Sequence, residues 1–147
     1  MTKVLISIAD FYKDISETLL QAVIPELQKN NLLYQKIVVP GVFELGSSIN
    51  IALESFEYSG VIALGCAIRG ETSHYDVIIK ECARALQDIS IYYSLPMGFG
   101  VLMVDTMEQA IVRAEEYGKN AAVACIQMIK IKEQFMVYND SGPSRFN

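Results

Sequence analysis

His74 is the only histidine among 147 residues, and histidine is the side chain that changes charge near neutral pH without a large perturbation. It closes the polar run Ile68-Arg69-Gly70-Glu71-Thr72-Ser73-His74, between an apolar strand-like stretch and a helical one. There it is either a proton shuttle at a ligand site or an ordinary surface or packing residue of a helix start. Free backbone amides near Glu71 and Thr72 offer a place for a phosphate, because a helix N-terminus carries unpaired N–H donors and partial positive charge. A second segment, Pro40-Gly41-Val42-Phe43-Glu44, permits an abrupt strand-to-helix turn with outward-pointing amides. Its Glu44 falls in the first helical turn, where a carboxylate either contacts a ligand or complements the helix dipole.

Other chemistries find no support in the pattern. One histidine and three scattered cysteines, Cys66, Cys82 and Cys125, offer no zinc-ligand spacing. In apolar company and without a Cys-x-x-Cys pair, the cysteines read as reduced and buried. There is no Gly-rich dinucleotide loop, phosphate-cradling lysine loop or nucleophile elbow, so neither a metal site nor a covalent enzyme intermediate is expected. A net charge of −5 with no basic stripe argues against a nucleic-acid surface, although an isolated cation can still hold one phosphate. Apolar runs such as 61–66 are too short for a bilayer and no basic segment precedes an apolar one at the N-terminus, so a cytoplasmic protein without membrane contact is expected. The hydrophobic share of 52% and mean hydropathy of +0.27 are high for a monomer and point to apolar surface buried against other subunits.

These residues need a scaffold, and hydrophobic periodicity outlines one. The run 4–9 has the β-branched content of a buried strand, and a helix opening at Ser16 repeats Leu19, Leu20, Val23, Ile24 and Leu27 at spacings of three and four. Pro25 predicts a kink or a shifted boundary in it. A short strand over 36–39 ends at Pro40-Gly41, and a second helix turns Leu45, Ile49, Leu53 and Phe56 inward. The third strand, 60–66, is apolar throughout, as suits a sheet covered on both faces. A long helix then aligns Ile78, Cys82, Leu86, Ile89 and Tyr93, and Pro96 announces a fourth strand over 99–104. Asp105 is expected to cap the next helix with Glu108 reaching back. Two helical segments, 106–117 and 120–132, meet near Gly118, and the tail 139–147 is expected to be loosely held. Strand and helix alternate four times within one domain spanning 1–147, which gives a three-layer α/β fold with a parallel sheet and right-handed crossovers.

In such sheets ligands gather beyond the carboxyl ends of the strands, which is where Glu44 and His74 fall. Phe99 begins the fourth strand, and Arg113 lies about 10 Å along the following helix at 1.5 Å per residue. Both therefore point toward the amino end. If all four serve one ligand, they come from two subunits; otherwise Phe99 is core and Arg113 a surface ion-pairing residue.

The segments Val39-Pro40-Gly41-Val42-Phe43-Glu44, 65–76 (Gly65-Cys66-Ala67-Ile68-Arg69-Gly70-Glu71-Thr72-Ser73-His74-Tyr75-Asp76) and 99–110 resemble, in order and spacing, the three signature segments of lumazine synthases. The resemblance covers nearly the whole chain. It implies a flavodoxin-like α/β/α sandwich with a four-stranded parallel sheet, and a cofactor-free condensation of 5-amino-6-(D-ribitylamino)uracil with 3,4-dihydroxy-2-butanone 4-phosphate in riboflavin biosynthesis. By the same resemblance Phe11 stacks on the pyrimidine, and Val42, Phe43 and Glu44 position the ring and its ribityl chain. Cys66, Ala67 and Ile68 line the ring's edge. Glu71 and Thr72 amides take the phosphate, with charge from Arg113 of a neighbouring subunit, whose Phe99 closes the pocket. His74 carries the protons. The family's phosphate-binding lysine falls where this chain has Tyr117-Gly118-Lys119-Asn120, leaving Lys119 as the match, and Ser73 stands where the family has proline. The partners implied are small-molecule substrates and further copies of the chain, as a pentamer or an icosahedral 60-mer. Two alternatives remain at this point: an archaeal-type riboflavin synthase, and a flavin-binding or shell-forming protein without activity.

Overall fold

The computed structural model describes residues 3–70 and 74–140, the side chains of 137–140 excepted. Chain order is β1 (Lys3–Ala9), α1 (Lys13–Lys29), β2 (Leu33–Val39), a 3-10 turn (Val42–Glu44), α2 (Leu45–Ser55), β3 (Gly60–Ile68), α3 (His74–Tyr93), β4 (Met97–Val104) and α4 (Met107–Asp140). All strand pairs are parallel, in the order β2-β1-β3-β4. The three-layer α/β/α sandwich expected from the pattern is the one observed.

The two-residue period of the strands sorts the core into two layers. Val4, Ile6 and Ile8 of β1, Ile62, Leu64 and Cys66 of β3, and Leu102 and Val104 of β4 face α1 and α4. Leu5 and Ala9, Val61 and Ala63, and Val101 face α2 and α3. Each fully buried Leu or Ile adds about 1.5–3 kcal/mol by leaving water. Ser7 is fully buried on the second face and shares a 2.8 Å hydrogen bond with Ser48 of α2, so its hydroxyl is not stranded.

Several elements depart from the sequence expectation. The segments 106–117 and 120–132 form one helix, α4, that passes through Gly118 and on to Asp140, taking in the first two residues of the supposed tail; 141–147 lie outside the described residues. Gly118 is no breaker here. A Cβ on it would come within 2.5 Å of the Leu19 carbonyl oxygen, so its missing side chain lets α1 and α4 cross in contact. Helix α1 opens at Lys13 rather than Ser16 and continues past Pro25 to Lys29. Pro25 and Gln21 both lie on its exposed face, where water can satisfy the carbonyl left without a donor. Strand β2 begins at Leu33, because ladder pairing with β1 starts at Lys3. Phe56 and Tyr93, expected inside, are 61% and 42% exposed: each sits at or beyond the end of its helix, where the stripe has run past the sheet.

The cap of α4 is displaced by one residue from the Asp105–Glu108 expectation. Gln109 N–H donates to Thr106 Oγ1 at 3.2 Å, and Asp105 N–H donates to Gln109 Oε1 at 2.8 Å. The capping box is therefore Thr106 with Gln109, which leaves the Asp105 carboxylate for another partner. Among the described residues no helix is long and apolar enough to cross a membrane.

Strand β4 meets α4 through Gly98, where a Cβ would collide with the carbonyl oxygen of Ala121. Backbone cannot step aside as a side chain can. Gly98→Ala is expected to lower unfolding free energy by about 3 kcal/mol, the upper range for overpacking, as read from urea denaturation midpoints. An unchanged midpoint would show that α4 can retreat at no cost.

Candidate active site

After β1 the chain steps to one side to form β2 and then crosses back to lay β3 on the other side of β1. That reversal opens a crevice at the carboxyl ends of β1 and β3, the usual ligand position in this architecture. A cleft of about 500 Å³ occupies it. Its walls come from three strand-end segments: Phe11 and Tyr12 after β1, Gly41 to Glu44 after β2, and Cys66 to Ile68 with Gly70 at the end of β3. The first turns of α3 complete it with His74, Tyr75 and Ile78.

Eight residues singled out from sequence thus meet in one place: Phe11, Val42, Phe43, Glu44, Cys66, Ala67, Ile68 and His74. Phe11 and Phe43 are 73% and 61% exposed, and open rings beside an apolar cleft are ready surfaces for a flat ligand. Phe11 is held edge-on against Tyr12, ring centres 4.9 Å apart. Glu44 and His74 stand exposed at the margin, placing a carboxylate and an imidazole where a polar substituent would emerge.

The other described candidates lie elsewhere. Phe99 lines a separate groove of about 630 Å³ between β4 and α3, with Met97, Met103, Met128 and Arg84. Arg113 and Lys119 are exposed on α4. Glu71 and Thr72, and Ser73 which follows them, fall outside the described residues. Tyr12, Tyr75 and Ile78 line the cleft without having been singled out as site residues. Their signal was available: α3 starts at a strand end, so the first inward residues of its stripe must border the crevice, and Ile78 follows His74 by one helical turn.

Burial governs the thiol in the cleft wall. Cys66 is 5% exposed, and loss of water around the thiolate pushes its pKa up to about 11. Burial likewise raises the Cys82 and Cys125 thiols, in keeping with three free, buried cysteines. The Tyr75 phenol is also raised, first by burial, so it faces the cleft uncharged. At pH 8 about one Cys66 thiol in a thousand is ionised. Iodoacetamide is therefore expected to label Cys66 on the order of 100-fold more slowly than an ordinary free cysteine, the rate climbing with pH until about pH 11. Peptide mass spectrometry after timed labelling checks this, and rapid labelling at pH 8 would contradict it.

Arg69 stands beside the cleft rather than in it. Its Nε donates to Asp105 Oδ1 at 3.1 Å, and its Nη1 lies 3.5 Å from Asp76 Oδ1. The hydrogen bond to Asp105, then the charge of Asp76, hold the guanidinium pKa above its ordinary value.

A family model described as 6,7-dimethyl-8-ribityllumazine synthase matches residues 1–133. The chain is 39% identical over 141 residues to 6,7-dimethyl-8-ribityllumazine synthase 1 of Rhodopseudomonas palustris, covering 90% of this chain and 86% of that one. It is 41% identical over 137 residues to the 6,7-dimethyl-8-ribityllumazine synthase of Bartonella tribocorum, covering 90% and 91%. Among solved structures, a fragment described as a lipoprotein from Peptoclostridium difficile shares the fold, with a TM-score of 0.50 at 14% identity over 89% of this chain and 99% of that one.

Proposed function

The chain belongs to the 6,7-dimethyl-8-ribityllumazine synthase family, and on that premise we propose how its cleft performs the family reaction. The reaction condenses 5-amino-6-(D-ribitylamino)uracil with 3,4-dihydroxy-2-butanone 4-phosphate to give 6,7-dimethyl-8-ribityllumazine, phosphate and water. The observation that carries the assignment of the site is the convergence of eight sequence-nominated residues in one crevice at the strand reversal.

The pyrimidine stacks on Phe11, with Cys66, Ala67 and Ile68 along its edge and Val42, Phe43 and Glu44 directing the ribityl chain. Its amine attacks the ketone, water leaves to give an imine, phosphate is eliminated, and ring closure releases a second water. His74 serves these steps because they need one group that accepts and donates protons near neutral pH. Holding two substrates in register supplies much of the acceleration. The phosphate rests at Glu71 and Thr72, with Arg113 and Lys119 as its cations.

Phe99 and Arg113 reach the cleft from a neighbouring copy. Phe99 is the third residue of β4, paired with Ala63 in the first half of β3, whereas His74 follows the far end of β3. Arg113 adjoins Ile111 and Val112, which are 63% and 81% exposed, apolar surface that suits burial against another subunit. The same reading gives a ring of subunits, a pentamer or a shell of pentamers, which light scattering distinguishes.

Incubating the purified protein with both substrates is expected to produce the lumazine chromophore and inorganic phosphate together. Conversion of lumazine alone to riboflavin would instead identify a riboflavin synthase, and binding without turnover a flavin carrier.

A further inference from the structure

Among the described residues, the ion pairs of Lys29 and Arg84 join neighbours three or four positions apart on one helix, whereas those of Arg69 join different elements. Arg69 follows β3. Its Nε reaches Asp105, which follows β4 and whose own N–H is tied to Gln109 of α4. Its Nη1 reaches Asp76 in the first turn of α3, and its guanidinium carbon lies 4.7 Å from the ring centre of Tyr75. The backbone is fixed as well, since Arg69 N–H donates to the Val104 carbonyl at 2.9 Å. One side chain therefore binds the start of α3 to the ends of both strands beside it.

We propose that Arg69 is a positioning residue for the condensation: by holding Tyr75 and Asp76 it fixes the helix start on which His74 is mounted. The inference rests on the reading of the cleft and of His74 given above. Arg69 does not line the cleft, so it does not touch substrate there; Tyr75 and His74 do line it. Tyr75 is only 9% exposed and packs in the wall, so a ring clamped by the guanidinium transmits its place to the adjoining imidazole. Proton transfer is sensitive to displacements of about 1 Å, which can cost on the order of 100-fold in rate. A lysine replaces the function only in part, because one ammonium group lacks the planar fork that meets two carboxylates while stacking on a ring.

The test places Arg69→Gln in two backgrounds and measures steady-state lumazine formation. In the otherwise native enzyme, kcat is expected to fall roughly tenfold to a hundredfold. The thermal midpoint should stay close to that of the native protein, since both salt bridges are solvent-exposed. Arg69→Lys should recover only part of the loss. In a His74→Ala background, Arg69→Gln should cause no further loss, because a residue acting through the imidazole has nothing left to position. Equal losses in both backgrounds would mean a direct or general structural role and overturn the proposal, as would an unaffected kcat in the native background. A fully active His74→Ala enzyme would remove the proton carrier itself along with this inference, whereas a slow His74→Ala enzyme with either adverse Arg69 result would refute the inference alone.

Discussion

His74→Ala lowers kcat by about 10² to 10⁴-fold, the range for loss of a general acid–base group, while leaving folding and assembly intact. His74 is exposed at the first position of α3 and belongs to neither core layer, so its truncation opens no cavity and strands no buried partner. The KM values should move little, because the cleft walls that receive the pyrimidine come from other residues. Steady-state kinetics beside a thermal melt separate the two effects. A native rate would take His74 out of the chemistry.

Arg113→Ala raises the KM for the butanone phosphate by about 30- to 150-fold, corresponding to about 2–3 kcal/mol for a lost charge-assisted contact to a phosphate. The KM for the pyrimidine should remain within a small factor, since that substrate carries no phosphate. Exposed on α4 in the single chain, Arg113 contributes little to folding, and a melt should confirm an unaltered protomer. Arg113→Lys keeps the charge without the planar fork and should fall between the two. A loss equal for both substrates would place Arg113 in a structural rather than a phosphate-binding role.

The cleft was readable because its residues sit in short segments directly after strands, and apolar runs such as that of β3 locate strand ends closely. Once four strands and their order of crossing are accepted, Phe11, Glu44 and His74 must share one end of the sheet. Local pattern was a poorer guide where tertiary contact decides. Gly118 has the local signature of a helix break, yet its absent side chain serves a crossing with Leu19, a contact nearly 100 positions away in sequence. The α4 cap is Thr106 with Gln109, while the Asp105 carboxylate accepts from Arg69 across 36 positions, and no short window contains that pair. Tyr75 was hidden by its neighbour: the histidine carried the obvious chemistry, while the tyrosine forms the wall.

In the proposed assembly one site draws its imidazole from one protomer and its guanidinium from the next. Unfolding and reassembling equal amounts of His74→Ala and Arg113→Ala protomers tests it most directly. In a ring with head-to-tail contacts, random mixing leaves about a quarter of the interfaces with both native residues. Specific activity at limiting phosphate substrate should accordingly rise to about a quarter of the native value, well above the mean of the two parents. Activity no higher than that mean would mean that each chain completes its own cleft.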